Sequence, residues 1–135
     1  MQSALESAIG LPSNSTSASR MLFAFARDGD LLPLSLMRTE GAAAGGQNVF
    51  SAKTAREVRA MLELAVQAGG TAPKAQIAGY RVAGKTGTAH KIEGGAYADK
   101  YVSSFVGFAP VSEPRLIVAV MIDEPSAGKH YGGDV

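Results

Sequence analysis

The hydrophobic period of this chain changes once, at Gly69-Gly70, and that change restricts its fold more than any other feature. Before the glycine pair, Val58, Met61, Leu62, Ala65 and Val66 recur at helical spacing and form one apolar stripe. After it, apolar residues fall near every second position in three runs, Tyr80–Thr88, Tyr101–Ala109 and Arg115–Ile122. Tyr80 and Val82 share one face of the first run, with Arg81 and Ala83 on the other. Pro110 stops the second run, and the third is almost continuously apolar from Leu116 to Met121. Only Val111-Ser112-Glu113-Pro114 separates those two, which is hairpin length. A parallel pair would need a much longer crossover. The predicted fold is therefore α+β, a three-stranded antiparallel sheet packed against two main helices.

The helices have their own start and stop signals. One is predicted from about Ser17 through Met21, Leu22, Phe25 and Ala26, ending at Asp28-Gly29 with Gly29 left-handed. The other is predicted over Thr54–Ala68. It opens with Thr54-Ala55-Arg56-Glu57, a capping box in which Thr54 and Glu57 satisfy each other's free amides. Between them, the apolar run Leu31–Met37 contains Pro33 and reads as an edge strand or extended connector. Gly41–Gly46 reads as a flexible small-residue segment. Residues 1–19 read as a flexible leader or added segment, because Leu11–Ser19 is small and polar. Ala89–Lys100 holds Gly94-Gly95 and few apolar anchors beyond Ile92 and Tyr97. It is predicted to be a mobile loop, poorly suited to preorganise a site beside it.

The balance of residue types excludes several function classes. With 46% apolar and 19% charged residues in 135, the chain is neither a disordered tail nor too small for one core. A net charge of +1 gives no footprint for nucleic acid or an anionic membrane. No cysteine is present, so disulfides, thiolate nucleophiles and thiolate metal sites are excluded. No apolar run reaches the roughly 18 residues of a membrane span, and Glu6 stands where a secretion signal would be basic or apolar. The chain is expected to be soluble as written.

Gly79–Thr86 fits G-x-x-x-x-G-K-[ST], the pattern of a phosphate-cradling loop. Such a loop must wrap an anion and lead into a helix whose N-terminus faces it. Here the variable positions Tyr80, Arg81, Val82 and Ala83 have strand character, and Gly87 to Gly95 shows no amphipathic helical face. The competing reading makes Lys85-Thr86-Gly87-Thr88 part of a strand edge. Alternation then sends Lys85 and Gly87 to one face, Thr86 and Thr88 to the other. Gly87 permits close approach of a ligand or another backbone. The threonine hydroxyls and free strand amides can donate to a carboxylate or oxyanion beside the Lys85 charge, as acyl transfer requires.

Tyr80–Ala89 resembles the third signature motif, K-T-G, of penicillin-binding proteins and serine β-lactamases. The likeness extends over roughly residues 20–133. It includes Phe25–Pro33, Gly69–Ala75, Phe105-Val106-Gly107-Phe108-Ala109-Pro110, Pro114-Arg115, Val118–Pro125 and Tyr131-Gly132-Gly133. These segments are similar to the end of class B penicillin-binding proteins, the division-specific peptidoglycan D,D-transpeptidases of Gram-negative bacteria. The resemblance implies that residues 20–135 are the C-terminal part of a transpeptidase domain of the penicillin-binding and serine β-lactamase fold.

The family cross-links peptidoglycan stem peptides through a serine acyl-enzyme and is inhibited by β-lactams. The resemblance implies that Lys85 and Thr88 are catalytic. Lys85, Thr86, Gly87 and Thr88 together would bind substrate, and the Thr88 N–H would supply half of an oxyanion hole. It implies no metal or organic cofactor. Its implied partners are stem peptides, β-lactams and, in the parent protein, other division proteins at the periplasmic face of the inner membrane. The family's S-x-x-K nucleophile motif matches only Ser126-Ala127-Gly128-Lys129, in a Pro/Gly-containing segment, and S-x-N is absent. The isolated chain is therefore expected to be inactive. A non-catalytic ligand-binding domain is the main alternative, and a phosphate-loop nucleotide binder is the other.

Four further pairs complete the candidates. His90 and His130 are too few for a metal signature and are expected in exposed loops. Asp123-Glu124 is expected to mark a strand end, because adjacent strand residues point to opposite faces. Tyr97 and Tyr101 are expected to be half-buried strand aromatics, and Gly132-Gly133 a turn.

Overall fold

A computed structural model describes residues 13–33 and 45–135. The chain divides into two compact units, residues 1–57 and 58–135. In the first unit, helix α1 spans Ser13–Ala26. It begins upstream of the expected Ser17, since neither glycine nor proline interrupts the chain between Ser13 and Ser17. Leu22, Ala24 and Ala26 are buried. The helix ends as predicted near Asp28-Gly29, with Gly29 left-handed at φ 98°. Asp28, at φ 55°, is left-handed as well, and the Gly29 N–H reaches back to the Ala24 carbonyl at 2.8 Å. That bond is the outer one of a Schellman motif. Gly29 is required for a second reason as well: a Cβ there would lie 1.9 Å from the Phe50 carbonyl oxygen.

Strand β1, Asp30–Leu31, pairs antiparallel with strand β2, Gln47–Asn48. Residues 34–37 of the Leu31–Met37 run and residues 41–44 of Gly41–Gly46 lie outside the described residues. Phe25 and Phe50 stack with ring centroids 4.9 Å apart. Helix α2, Ala52–Leu64, starts in the first unit and runs into the second. Its cap is not the predicted Thr54–Glu57 box. Ser51 Oγ accepts the Thr54 N–H at 3.0 Å and lies 2.8 Å from the Thr54 hydroxyl. Ser51 precedes the helix by one residue and can reach the third amide, whereas Thr54 is already inside the first turn. Glu57 pairs instead with Lys53, one turn earlier, at 3.9 Å.

The second unit opens with the end of α2. The helix stops at Leu64, before the expected Ala68, because the next amides tighten onto nearer carbonyls: Val66 on Glu63 and Gln67 on Leu64. The Ala72 N–H closes the turn on Ala65 at 2.9 Å. A short 3₁₀ helix, Pro73–Ala75, follows, and the Gln76 side chain donates to the Val66 carbonyl at 2.9 Å.

The predicted antiparallel sheet is present, in the order β3-β4-β5. Its strands are Ala83–Glu93, Ala96–Ala109 and Leu116–Asp123. The first two are longer than expected and differ at their ends. Tyr80 does not enter the ladder but closes a tight turn on Ile77. Ala89–Lys100, expected as a mobile loop, is a hairpin instead: Glu93 pairs with Ala96 and Ile92 with Tyr97. Gly94 and Gly95 have φ of 59° and 83°, the two positive values that let a two-residue turn follow the twist of its strands. Turn chemistry thus overrides the shortage of apolar anchors. A bulge between His90 and Ile92 sets Lys91 outside the register. Its ammonium meets Asp123 at 3.0 Å and Glu124 at 2.7 Å. Asp123 does end β5, and Glu124 turns away at φ 47°, so their expected strand-end role holds.

Phe108 and Ala83, directly opposite across β3 and β4, are buried, as are Val66, Ala72, Val82, Val106 and Val111. Strand β5 bares Leu116, Val118, Val120 and Ile122 on one of its faces. Among the described residues, no helix is long and apolar enough to cross a membrane.

Candidate functional site

Strand β3 forms one edge of the sheet, and Lys85-Thr86-Gly87-Thr88 lies within it. The ladder runs unbroken through the motif: Lys85 opposes Val106, Thr86 opposes Phe105, Gly87 opposes Ser104 and Thr88 opposes Ser103. The strand then continues to Glu93. No helix follows Thr86, so the phosphate-loop reading of Gly79–Thr86 lacks its required geometry.

Pairing with β4 fixes which way each motif residue points. Lys85 is exposed, and its ammonium donates to the Thr86 carbonyl at 2.6 Å. Thr86 is half-buried, with its hydroxyl 3.3 Å from that of Thr71. Thr88 is exposed, and its Oγ1 accepts the Gly132 N–H at 3.1 Å. A Cβ on Gly87 would lie 2.5 Å from Ser104 Oγ, so a side chain there would have to turn that hydroxyl aside. Thr86 and Thr88 therefore share a face with Phe105 and Ser103, while Lys85 and Gly87 take the other. Phe105 reaches over two glycines, Gly84 and Gly107, which are cross-strand partners. A Cβ on either would come within 2.4 Å or 2.7 Å of the ring.

Several neighbours of the motif were not singled out as site residues in the sequence. Thr71 comes from the Gly69-Gly70 connection and meets Thr86. Gly132 and Gly133 form the expected turn, and they also press on the motif. A Cβ on Gly132 would lie 2.4 Å from the Ser104 carbonyl oxygen and 2.5 Å from that of Gly87. One on Gly133 would lie 1.8 Å from the Thr71 carbonyl oxygen. Paired glycines after the last strand were the available signal, but a turn and a close contact look alike in sequence.

The histidines also differ from expectation. His90 lies on β3 and not in a loop, with Nδ1 3.3 Å from the Ala98 carbonyl. His130 is half-buried and stacks on Tyr101, centroids 3.9 Å apart and planes 12° from parallel. His90 meets Tyr101 at 4.4 Å and Tyr97 at 5.8 Å, and Tyr131 meets His130 at 4.4 Å. Tyr101 is half-buried as expected, whereas Tyr97 is largely exposed. A hydrogen bond with Asp99, followed by partial burial, pushes the Tyr101 phenol above its ordinary pKa. Ser126–Lys129 lies in irregular chain after β5, so its serine does not open a helix. An open cleft of about 390 Å³, lined by residues including Val66, Gln76 and Tyr80, contains none of the motif residues.

What this edge can do is bind an anion. It sets one exposed ammonium, two hydroxyls and the outward amides of an edge strand along a short length of backbone. The chain as a whole is similar to known proteins. The penicillin-binding protein transpeptidase domain matches residues 1–135. A probable peptidoglycan D,D-transpeptidase PenA of Neisseria gonorrhoeae is 43% identical over 135 residues, 99% of this chain and 23% of the relative. Among solved structures, the transpeptidase domain of Burkholderia pseudomallei penicillin-binding protein 3 is 50% identical with a TM-score of 0.76, over 85% of this chain and 35% of that one. The aztreonam complex of Mycobacterium tuberculosis penicillin-binding protein 3 is 37% identical with a TM-score of 0.70, over 79% of this chain and 28% of that one. The chain thus spans less than a quarter of the curated relative's length.

Proposed function

Because the chain belongs to the transpeptidase-domain family of penicillin-binding proteins, we propose that Lys85–Thr88 is the carboxylate-binding edge of a serine D,D-transpeptidase. Its substrate class is the peptidoglycan stem peptide, and β-lactams occupy the same edge. The observation that carries the reading is the placement of the motif in register on an edge strand, with Thr86 and Thr88 on one face. A peptide carboxylate laid along this edge meets the two hydroxyls, and the Lys85 charge favours it electrostatically. The Thr88 N–H supplies one donor to the oxyanion that forms when a carbonyl beside it is attacked. Gly87 keeps the backbone accessible between the two threonines.

Residues 20–135 are read as the C-terminal part of the domain, and the parent protein as acting at the periplasmic face of the inner membrane with other division proteins. No residue of this chain is proposed as the nucleophile. Ser126 matches the spacing to Lys129 but lacks the helix that would aim both side chains at one point. The exchange of stem-peptide acyl groups is therefore a property proposed for the whole protein. The binding of their carboxylates is proposed for this edge.

Benzylpenicillin added to the labelled chain, with ATP added separately, tests the reading. The expected result is reversible perturbation of the Lys85–Thr88 amides by benzylpenicillin, no perturbation by ATP, and no increase in intact mass. A covalent adduct on Ser126, or amide shifts confined to other parts of the chain, would overturn it.

A further inference from the structure

After β5 the chain turns back over the motif, and residues 129–134 are fixed there at several points. The Ser103 hydroxyl donates to the His130 carbonyl, and Ser103 is fully buried. The His130 ring lies on Tyr101 at 3.9 Å. Lys74 donates to the Asp134 carbonyl at 2.6 Å, and Lys129 lies 3.8 Å from the Asp134 carboxylate. Gly132 and Gly133 approach the backbone of Gly87, Ser104 and Thr71 so closely that no side chain fits at either position. Between these anchors, the Gly132 N–H donates to Thr88 Oγ1 at 3.1 Å.

The direction of that last bond has a chemical consequence. A threonine hydroxyl has one proton and two lone pairs, and a backbone amide can only donate. With one lone pair engaged by Gly132, the Thr88 proton must point elsewhere, so the hydroxyl is left to act as a donor. An anionic ligand needs a donor, and a hydroxyl already oriented loses less freedom on binding. We infer that residues 129–134 form a positioning strap that presents the Thr88 hydroxyl as a hydrogen-bond donor to a carboxylate. In it, Gly132 acts through its amide and Tyr101 acts through His130. The inference rests on the proposal that Thr88 faces a ligand carboxylate. It adds that residues remote in sequence set the hydroxyl's orientation.

Amide exchange at Gly132 and benzylpenicillin titration of the Thr88 methyl resonance test the strap together. Thr88→Val removes the acceptor and should speed Gly132 exchange about tenfold, as expected for one lost hydrogen bond. It should leave the ring-current shifts of the Tyr101–His130 stack in place. Tyr101→Ala should speed the same exchange and weaken benzylpenicillin binding several-fold, while Tyr101→Phe, which keeps the ring, should restore both. Gly132→Ala should act as Tyr101→Ala does without altering the ring stack's composition. Unchanged Gly132 exchange in Thr88→Val, or unchanged benzylpenicillin binding in both Tyr101→Ala and Gly132→Ala, overturns the strap alone. A Thr88 methyl silent to benzylpenicillin in the unaltered chain, with the exchange pattern intact, instead overturns the carboxylate-site reading and the strap's role with it.

Discussion

Adding one methyl group at Gly84 should destabilise the sheet that carries the motif. Gly84 is buried, immediately before Lys85, and a Cβ there would lie 2.4 Å from Phe105 Cζ, 2.7 Å from Cε2 and 2.9 Å from the Val106 carbonyl oxygen. The ring can swing aside, but the carbonyl belongs to the β4 ladder and cannot move without disturbing its pairing. Overpacking of this kind costs about 1–3 kcal/mol. For a chain of this size that is a fall in Tm of about 4–12 °C. Thermal unfolding followed by circular dichroism reads the change directly.

Because Phe105 lies directly opposite Thr86, displacement of the ring should also shift the Thr86 methyl resonance. The mechanism is separable from a general intolerance of alanine in strands. In a Phe105→Ala background the ring obstacle is gone and only the carbonyl contact remains. Gly84→Ala should then cost less by about 1 kcal/mol, the coupling expected of side chains in direct contact. A Tm within one degree of the parent, or an equal cost in both backgrounds, would refute the packing argument.

Ser103→Ala should cost about 1–3 kcal/mol in chemical denaturation, because the His130 carbonyl loses its buried donor; a neutral substitution would mean that water replaces the hydroxyl. The fork of Arg81 on Glu63, at 2.7 and 2.6 Å, lowers the Glu63 pKa chiefly by hydrogen bonding. A carboxylate depressed in the folded state adds stability above its unfolded pKa and loses it as pH falls through the folded one. Arg81→Gln should therefore narrow its deficit against the parent on acidification, and a deficit independent of pH would contradict the assignment. In the hairpin, the ladder amides of Ala89–Lys100 should exchange more slowly than those of the Pro125–Lys129 segment, and Gly95→Val should erase that difference, since φ at this position is 83°. Equal exchange in the two segments would restore the mobile-loop reading.

How far the sequence alone reaches follows from the range of the forces involved. Period-two patterning in three runs, with a four-residue connection between the last two, suffices for an antiparallel sheet, because a strand's alternation is set by its own backbone. The same alternation places Thr86 and Thr88 on one face, and Lys85 and Gly87 on the other. End signals depend on which neighbour arrives first, and there local reading fails. Ser51 caps α2 where Thr54 was expected, α2 stops at Leu64 where Ala68 was expected, and Gly94-Gly95 closes a hairpin where a loop was expected. What surrounds the motif is settled only in three dimensions. Thr71 reaches Thr86 from 15 residues away, His130 reaches Ser103 from 27, and Gly132 reaches Thr88 from 44. Nothing in the composition of a glycine pair distinguishes a free turn from one pressed against a strand. That distinction exists only once β5 has paired with β4 and returned the chain over the motif, so the site's hydrogen-bond partners are a product of topology.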